Sequence, residues 1–246
     1  MQHRSKKIKK SFFIILVVLI VLSGGSAIYL GNYYHSVDVE KYMNGSSEVS
    51  VEKFDKGWFF DGAGEEKALI FYPGAKVATE AYAPLMYQLA ESGIDCFLVD
   101  MPFHMAFFGM NRAEEIMQEY NYEAWYLGGH SLGGAMAANF AADYVEDHTD
   151  GIRGLLLLAA YPTKDLSTSD MSVVTVYGSE DGVLNMDKIV AGRELMLQDY
   201  KEVCIEGGNH AQFGSYGTQK GDGTAAIPAE EQWARTVEVF VGDESE

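Results

Sequence analysis

From Lys67 to Gly208 the chain repeats one unit, a short apolar run closed by turn residues and then a longer stretch with helical spacing. The runs are KALIFYPG (67–74), IDCFLVDMP (94–102), EAWYLGG (123–129), GIRGLLLLAAYP (151–162), SVVTVYGSE (172–180) and KEVCIEGG (201–208). Between and after them lie TEAYAPLMYQLAESG (79–93), NRAEEIMQEYN (111–121), LGGAMAANFAADYVEDH (132–148), MDKIVAGRELML (186–197) and AEEQWARTVEVFV (229–241), which read as helices. Strands that are apolar throughout, rather than on alternate residues, are buried on both faces. Their alternation with helices predicts an α/β domain, a mostly parallel central sheet with helices on both sides. A single domain over residues 51–246 accommodates the pattern, with a large enough core to fold alone.

In such a sheet, chemistry gathers where strands end at their carboxyl edge. The strand EAWYLGG runs into Gly129-His130-Ser131-Leu132-Gly133, a G-x-S-x-G pattern between strand and helix. A serine on so tight a turn exposes its hydroxyl, and side chains two residues before and after it would collide. Gly129 and Gly133 are therefore read as elbow glycines and Ser131 as a nucleophile. Gly134, Ala135 and Ala137 let the following helix pack closely. The N-terminal N–H groups of that helix favour negative charge developing at the serine.

A serine alcohol needs a base, and the base needs an orienting acid. Downstream of Ser131 only His148 and His210 remain. His148 sits in VEDHTDG at a helix tail, where imidazoles commonly bond terminal carbonyls. His210, in the Gly/Asn loop EGGNHAQFG after the last strand, is the candidate base. The acid belongs to the loop Gly178-Ser179-Glu180-Asp181-Gly182, with Asp181 favoured and Glu180 the alternative. An oxyanion hole requires two N–H donors. Leu132, directly after the serine, supplies one, and Ala75 the other (alternative Lys76), because Pro73-Gly74 turns the chain out of its strand there.

The stretches IFYPGAKV, VDMPFHMAFFG, GGHSLGG, YGSEDGVL and EGGNHAQFGSYGTQKGDG carry a resemblance over about residues 55–240. The chain resembles the α/β-hydrolase superfamily, in particular its small bacterial fold-5 branch related to dienelactone hydrolases. The resemblance implies the α/β-hydrolase fold, a Ser131–Asp181–His210 triad, no cofactor, and cleavage of an ester-like bond through an acyl-enzyme. Dienelactone hydrolases themselves use a cysteine nucleophile. Ser131 stands in that place, so lactone specificity does not carry over.

MPFHMAFFGM (101–110), dense in Phe and Met, suggests Phe103, Met105 and Phe108 as pocket lining, with ordinary core packing the competing reading. His104 there reads as a structural histidine. Residues 163–171 are short and polar where such folds often carry a lid, so an open site for small or exposed acyl groups is expected. Cys96 and Cys204 read as core thiols rather than a disulfide. No histidine, cysteine or acid cluster has metal-ligand spacing, and GHSLGG lacks the P-loop pattern.

The formal net charge is −18, and the first ten residues carry five basic side chains and no acid. Taking those five positive charges from −18 leaves −23 on the rest. So acidic a body repels nucleic-acid phosphates, and a broad contact with anionic lipid. SFFIILVVLIVLSGGSAIYL (11–30) is apolar enough to cross a hydrocarbon layer of about 30 Å. With residues 1–10 as a basic cytoplasmic tail, the expectation is a single-pass membrane protein. Its transmembrane signal anchor spans 11–30, a polar linker 31–50, and its catalytic domain lies outside the cytoplasm. A cleaved signal peptide and secretion is the alternative, with Gly25-Ser26-Ala27 as the cleavage site. The functional expectation is a membrane-anchored serine hydrolase of carboxylesterase type acting on a small-molecule ester. The alternatives are a non-catalytic binding protein on the same fold and an acyltransferase using the same acyl-enzyme.

Overall fold

The structure is a computed structural model that describes residues 31–148 and 151–243, with Leu16 and Gly25. The expected basic tail (1–10) and membrane segment (11–30) otherwise lie outside the described residues. Among those described, no helix is long and apolar enough to cross a membrane.

From Tyr34 onward the chain forms one compact unit. It opens with a short helix, α1 (Glu40–Met43), and two strands, β1 (Ser50–Phe54) and β2 (Gly57–Asp61). Then come β3 (Lys67–Tyr72), α2 (Ala83–Glu91), β4 (Asp95–Val99), α3 (Arg112–Glu119), β5 (Ala124–His130) and α4 (Leu132–Asp147). The chain closes with β6 (Ile152–Leu158), β7 (Ser172–Gly178), α5 (Met186–Gly192), β8 (Lys201–Ile205) and α6 (Ala229–Asp243). The eight strands make one sheet in the order β1-β2-β4-β3-β5-β6-β7-β8. β1–β2 and β2–β4 pair antiparallel, and every other neighbour is parallel.

The apolar strands bury both faces because successive side chains point to opposite sides. In β3, Leu69 and Phe71 enter one core with Leu85, Leu89, Trp233 and Phe240 of α2 and α6. Ala68, Ile70 and Tyr72 enter the other with Ile116 of α3 and Ala137, Phe140 and Ala141 of α4. β4 and β6 divide the same way, Leu98 and Leu156 to one face, Phe97 and Leu157 to the other. All six expected strands form at their expected places.

Three features differ from the sequence reading. The β1–β2 hairpin extends the parallel sheet by an antiparallel edge that the sequence did not announce. β1 is largely exposed, so it lacks the continuous apolar signal of a buried strand. Residues 34–50, expected as part of a polar tether, instead pack on the body. Val39 and Val49 are buried and Tyr42 meets Trp233 edge-on at 6.1 Å. A few apolar side chains spaced among polar ones suffice to dock this segment. Cys96 is a core thiol as expected, but Cys204 is exposed, because β8 is an edge strand with one side open.

Candidate active site

Parallel strands deliver their carboxyl ends to one edge, and the expected residues meet there. At the end of β5, Ser131 adopts φ 53° and ψ −121°, a conformation that L-residues rarely hold. The Ser131 N–H donates to the Leu158 carbonyl at the end of β6 (2.8 Å), which fixes the turn to the neighbouring strand. A Cβ on Gly133 would stand 2.1 Å from the Tyr72 carbonyl oxygen, and one on Gly129 2.6 Å from the Gly133 carbonyl carbon. Only glycine fits either place, so the elbow requires the pattern G-x-S-x-G for steric reasons.

Ser131 and His210 line one open cleft of about 270 Å³ with Leu132, Ala135, Ala159, Ala160, Tyr161, Val183, Leu184 and Asn185. Residues 159–171, which join β6 to β7, contain no helical insertion. Asp181 and His210 come from the loops after β7 and β8. Their Oδ2 and Nδ1 atoms lie 2.8 Å apart, with both side chains only 2% exposed. The other oxygen of Asp181, Oδ1, accepts the N–H groups of Val183 (2.9 Å) and Leu184 (2.8 Å), which aims the carboxylate. Glu180, the alternative acid, is exposed and accepts the Ser179 hydroxyl instead.

Of the two second donors considered for an oxyanion hole, Lys76 is engaged. Its N–H donates to the His104 carbonyl at 2.8 Å. Ala75 is left, one residue beyond the Gly74 turn. Leu132 opens α4, where an N–H has no acceptor within its own helix.

Phe103, Met105 and Phe108, expected as pocket lining, are not among the residues of this cleft. Phe103 and Phe108 are exposed, since the loop after β4 turns their rings outward. Phe and Met density gave the expectation, and density carries no direction.

Three residues sequence reasoning did not use hold the site together. Asp222, in the loop before α6, accepts the N–H groups of His210 (3.2 Å), Ala211 (2.8 Å) and Gly182 (3.1 Å). One carboxylate thereby ties the loop carrying the acid to the loop carrying the imidazole. Gln232 of α6, fully buried, clamps Asn209 from the other side by accepting its N–H (3.0 Å) and donating to its carbonyl (2.8 Å). Tyr82 is also fully buried. Its hydroxyl accepts the Gly74 N–H (3.0 Å) and lies 2.7 Å from Nδ1 of His130. Burial, with the neighbouring His210, holds the His130 imidazole well below the ordinary histidine value, so it stays neutral. The Tyr82 proton then points to Nδ1 and the imidazole proton sits on Nε2. This pair joins the turn that carries Ala75 to the residue before the serine.

An alpha/beta hydrolase family model matches residues 68–234. The chain belongs to the alpha/beta hydrolase family. The known structures that resemble this member of the family share its fold at low identity. Est1E of Butyrivibrio proteoclasticus is 15% identical, with TM-score 0.57, over 81% of this chain and 100% of its own. A carboxylesterase of Bacillus subtilis is 9% identical, with TM-score 0.56, over 83% of this chain and 96% of its own. A thermostable esterase of Pseudomonas putida is 16% identical, with TM-score 0.56, over 92% of this chain and 89% of its own. No curated protein sequence matches the chain. The family match gives the membership, and the neighbours give the fold.

Proposed function

We propose that the protein is a serine hydrolase that cleaves a carboxylic ester through an acyl-enzyme, with Ser131, His210 and Asp181 as its triad. The observation that carries this reading is the buried Asp181–His210 pair opening onto the cleft where Ser131 sits on its strained turn. As Ser131 Oγ attacks the acyl carbon, its proton passes to Nε2 of His210. Asp181 accepts the Nδ1 proton, holding the tautomer and stabilising the imidazolium. The carbonyl oxygen gains the negative charge and accepts N–H bonds from Leu132 and Ala75, each donor contributing about 3 kcal/mol in the transition state. Collapse of the intermediate expels the alcohol, which takes the proton back from His210. Water, deprotonated by the same imidazole, then releases the acid and restores Ser131. The esterase neighbours support the substrate class, and the short connection after β6 suits an ester that enters without displacing a lid.

The apolar run 11–30 preceded by lysines supports the accompanying proposal on location, a single-pass anchor with the hydrolase body outside the cytoplasm. Labelling of the detergent-solubilised full chain with a fluorophosphonate probe tests the chemistry. The wild type takes up label and Ser131→Ala does not. A folded wild type that remains unlabelled overturns the serine mechanism.

A further inference from the structure

The point where the chain joins its body lies against the active-site turn. Tyr34 bridges in parallel to Val77, its N–H donates to the Lys76 carbonyl (2.7 Å) and its carbonyl accepts the Ala78 N–H (2.8 Å). Its ring packs on Tyr216 at 5.6 Å and its hydroxyl accepts the Lys220 N–H at 3.2 Å, so the attachment is firm. The segment it grips, Lys76 to Ala78, follows directly on Ala75, the candidate oxyanion donor. On that segment's other side, the Lys76 N–H donates to the His104 carbonyl (2.8 Å). Tyr34, the oxyanion turn and the loop after β4 therefore lie side by side at the carboxyl edge of the sheet.

That loop is where the body exposes aromatic surface. Phe103, Phe107 and Phe108 are 56%, 47% and 54% exposed. Their rings contact one another, Phe107 with Phe108 at 4.2 Å and Phe103 with Phe108 at 5.5 Å. Phe103 and His104 both hold positive φ, 56° and 55°, which is costly for residues with side chains and is kept where a loop must present something. Three adjacent exposed phenylalanines form a patch of the kind that marks an interaction surface.

Chain length identifies the occupant. Only Gly31, Asn32 and Tyr33 separate Leu30, the end of the apolar run, from Tyr34. Four residues reach at most about 14 Å even when fully extended. If the run spans a bilayer, Tyr34 and the turn beside it are held within that distance of the membrane. The body's net negative charge favours a zwitterionic surface over an anionic one.

We propose that the Phe103–Phe107–Phe108 cluster seats on the outer surface of the protein's own membrane, so that the Ser131 cleft receives acyl esters presented by that bilayer. This rests on the anchored serine hydrolase reading above. The substrate class is an amphiphile whose ester lies at headgroup depth, where an open cleft reaches it.

The test uses the full-length chain reconstituted in phosphatidylcholine vesicles. It reads the ratio of two rates, on membrane-borne 4-methylumbelliferyl palmitate and on soluble 4-methylumbelliferyl acetate. Inserting a 20-residue Gly/Ser linker between Gly31 and Asn32 lengthens the tether about sixfold and lowers the ratio roughly fifteenfold, since effective concentration falls as the −3/2 power of tether length. Phe107→Ser with Phe108→Ser lowers it at least about fivefold, equivalent to burying part of one ring. Unchanged ratios in both variants, with wild type sedimenting with membranes, overturn the proposal and leave the anchor standing. A drop with the linker alone overturns the part assigned to the phenylalanines. Wild type released by alkaline carbonate overturns the anchor and this proposal with it, whereas no turnover of either ester overturns the hydrolase reading.

Discussion

Asp222 gives the sharpest test of how the site is held. Its carboxylate accepts the N–H groups of His210, Ala211 and Gly182 at 3.2, 2.8 and 3.1 Å. Asp222→Ala strips all three of their acceptor. Hydrogen bonds to a charged group contribute about 1.5–3 kcal/mol each when buried. Asp222 is half-buried and water replaces part of the loss, so about 1 kcal/mol each, about 3 kcal/mol together, is the working figure. Spread over the positions of His210 and Asp181, that is a fall in kcat of about a hundredfold, at 1.36 kcal/mol per factor of ten. KM changes little, because Asp222 does not line the cleft. Asp222→Asn keeps one carbonyl oxygen and turns an amide N–H toward another donor, so it falls between, near tenfold. Saturation kinetics on p-nitrophenyl acetate, with circular dichroism to confirm folding, measure both variants. A folded Asp222→Ala enzyme whose kcat stays within threefold of wild type refutes the reasoning.

Two further outcomes follow from local chemistry. Burial holds His130 below the ordinary histidine value, so the unfolded chain takes a proton that the native state refuses. That term is absent above the unfolded value and costs stability as pH falls below about 6.5, by up to about 1.4 kcal/mol per pH unit. Urea midpoints at pH 8 and pH 5 therefore drop more for wild type than for His130→Gln, and equal drops refute the assignment. Gly133→Ala places a Cβ 2.1 Å from the Tyr72 carbonyl and is expected to destabilise by more than about 4 kcal/mol. Gly242→Ala, where a Cβ meets nothing within 4 Å, serves as the control and holds or raises the melting temperature.

The central strands were legible because burial on both faces forces a run such as Leu155–Leu158 to be apolar at every position. That Ser131, Asp181 and His210 lie at strand ends on one edge was legible because glycines and turn residues follow directly on those runs. β1 escaped because an exposed edge strand needs no such run, and Tyr34 to Val49 because their docking depends on a few side chains at irregular spacing. Asp222 and Gln232 escaped for a different reason. Their partners are backbone groups, which every residue possesses, so no residue type in the sequence marks the contact. Phe103 and Phe108 were noticed but misdirected, since a left-handed turn at Phe103 and His104 decides which way the rings face.

The clasp at Asp222 also sets an order in time. The turn of Ser131, the proposed nucleophile, is complete by residue 133, the proposed acid stands at 181, the proposed base at 210, and the carboxylate that joins their loops only at 222. A chain emerging from its N-terminus carries the serine long before it carries the means to activate it. If the proposed hydrolase faces a lipid surface from the moment the proposed anchor is embedded, that delay keeps the growing chain harmless to the bilayer.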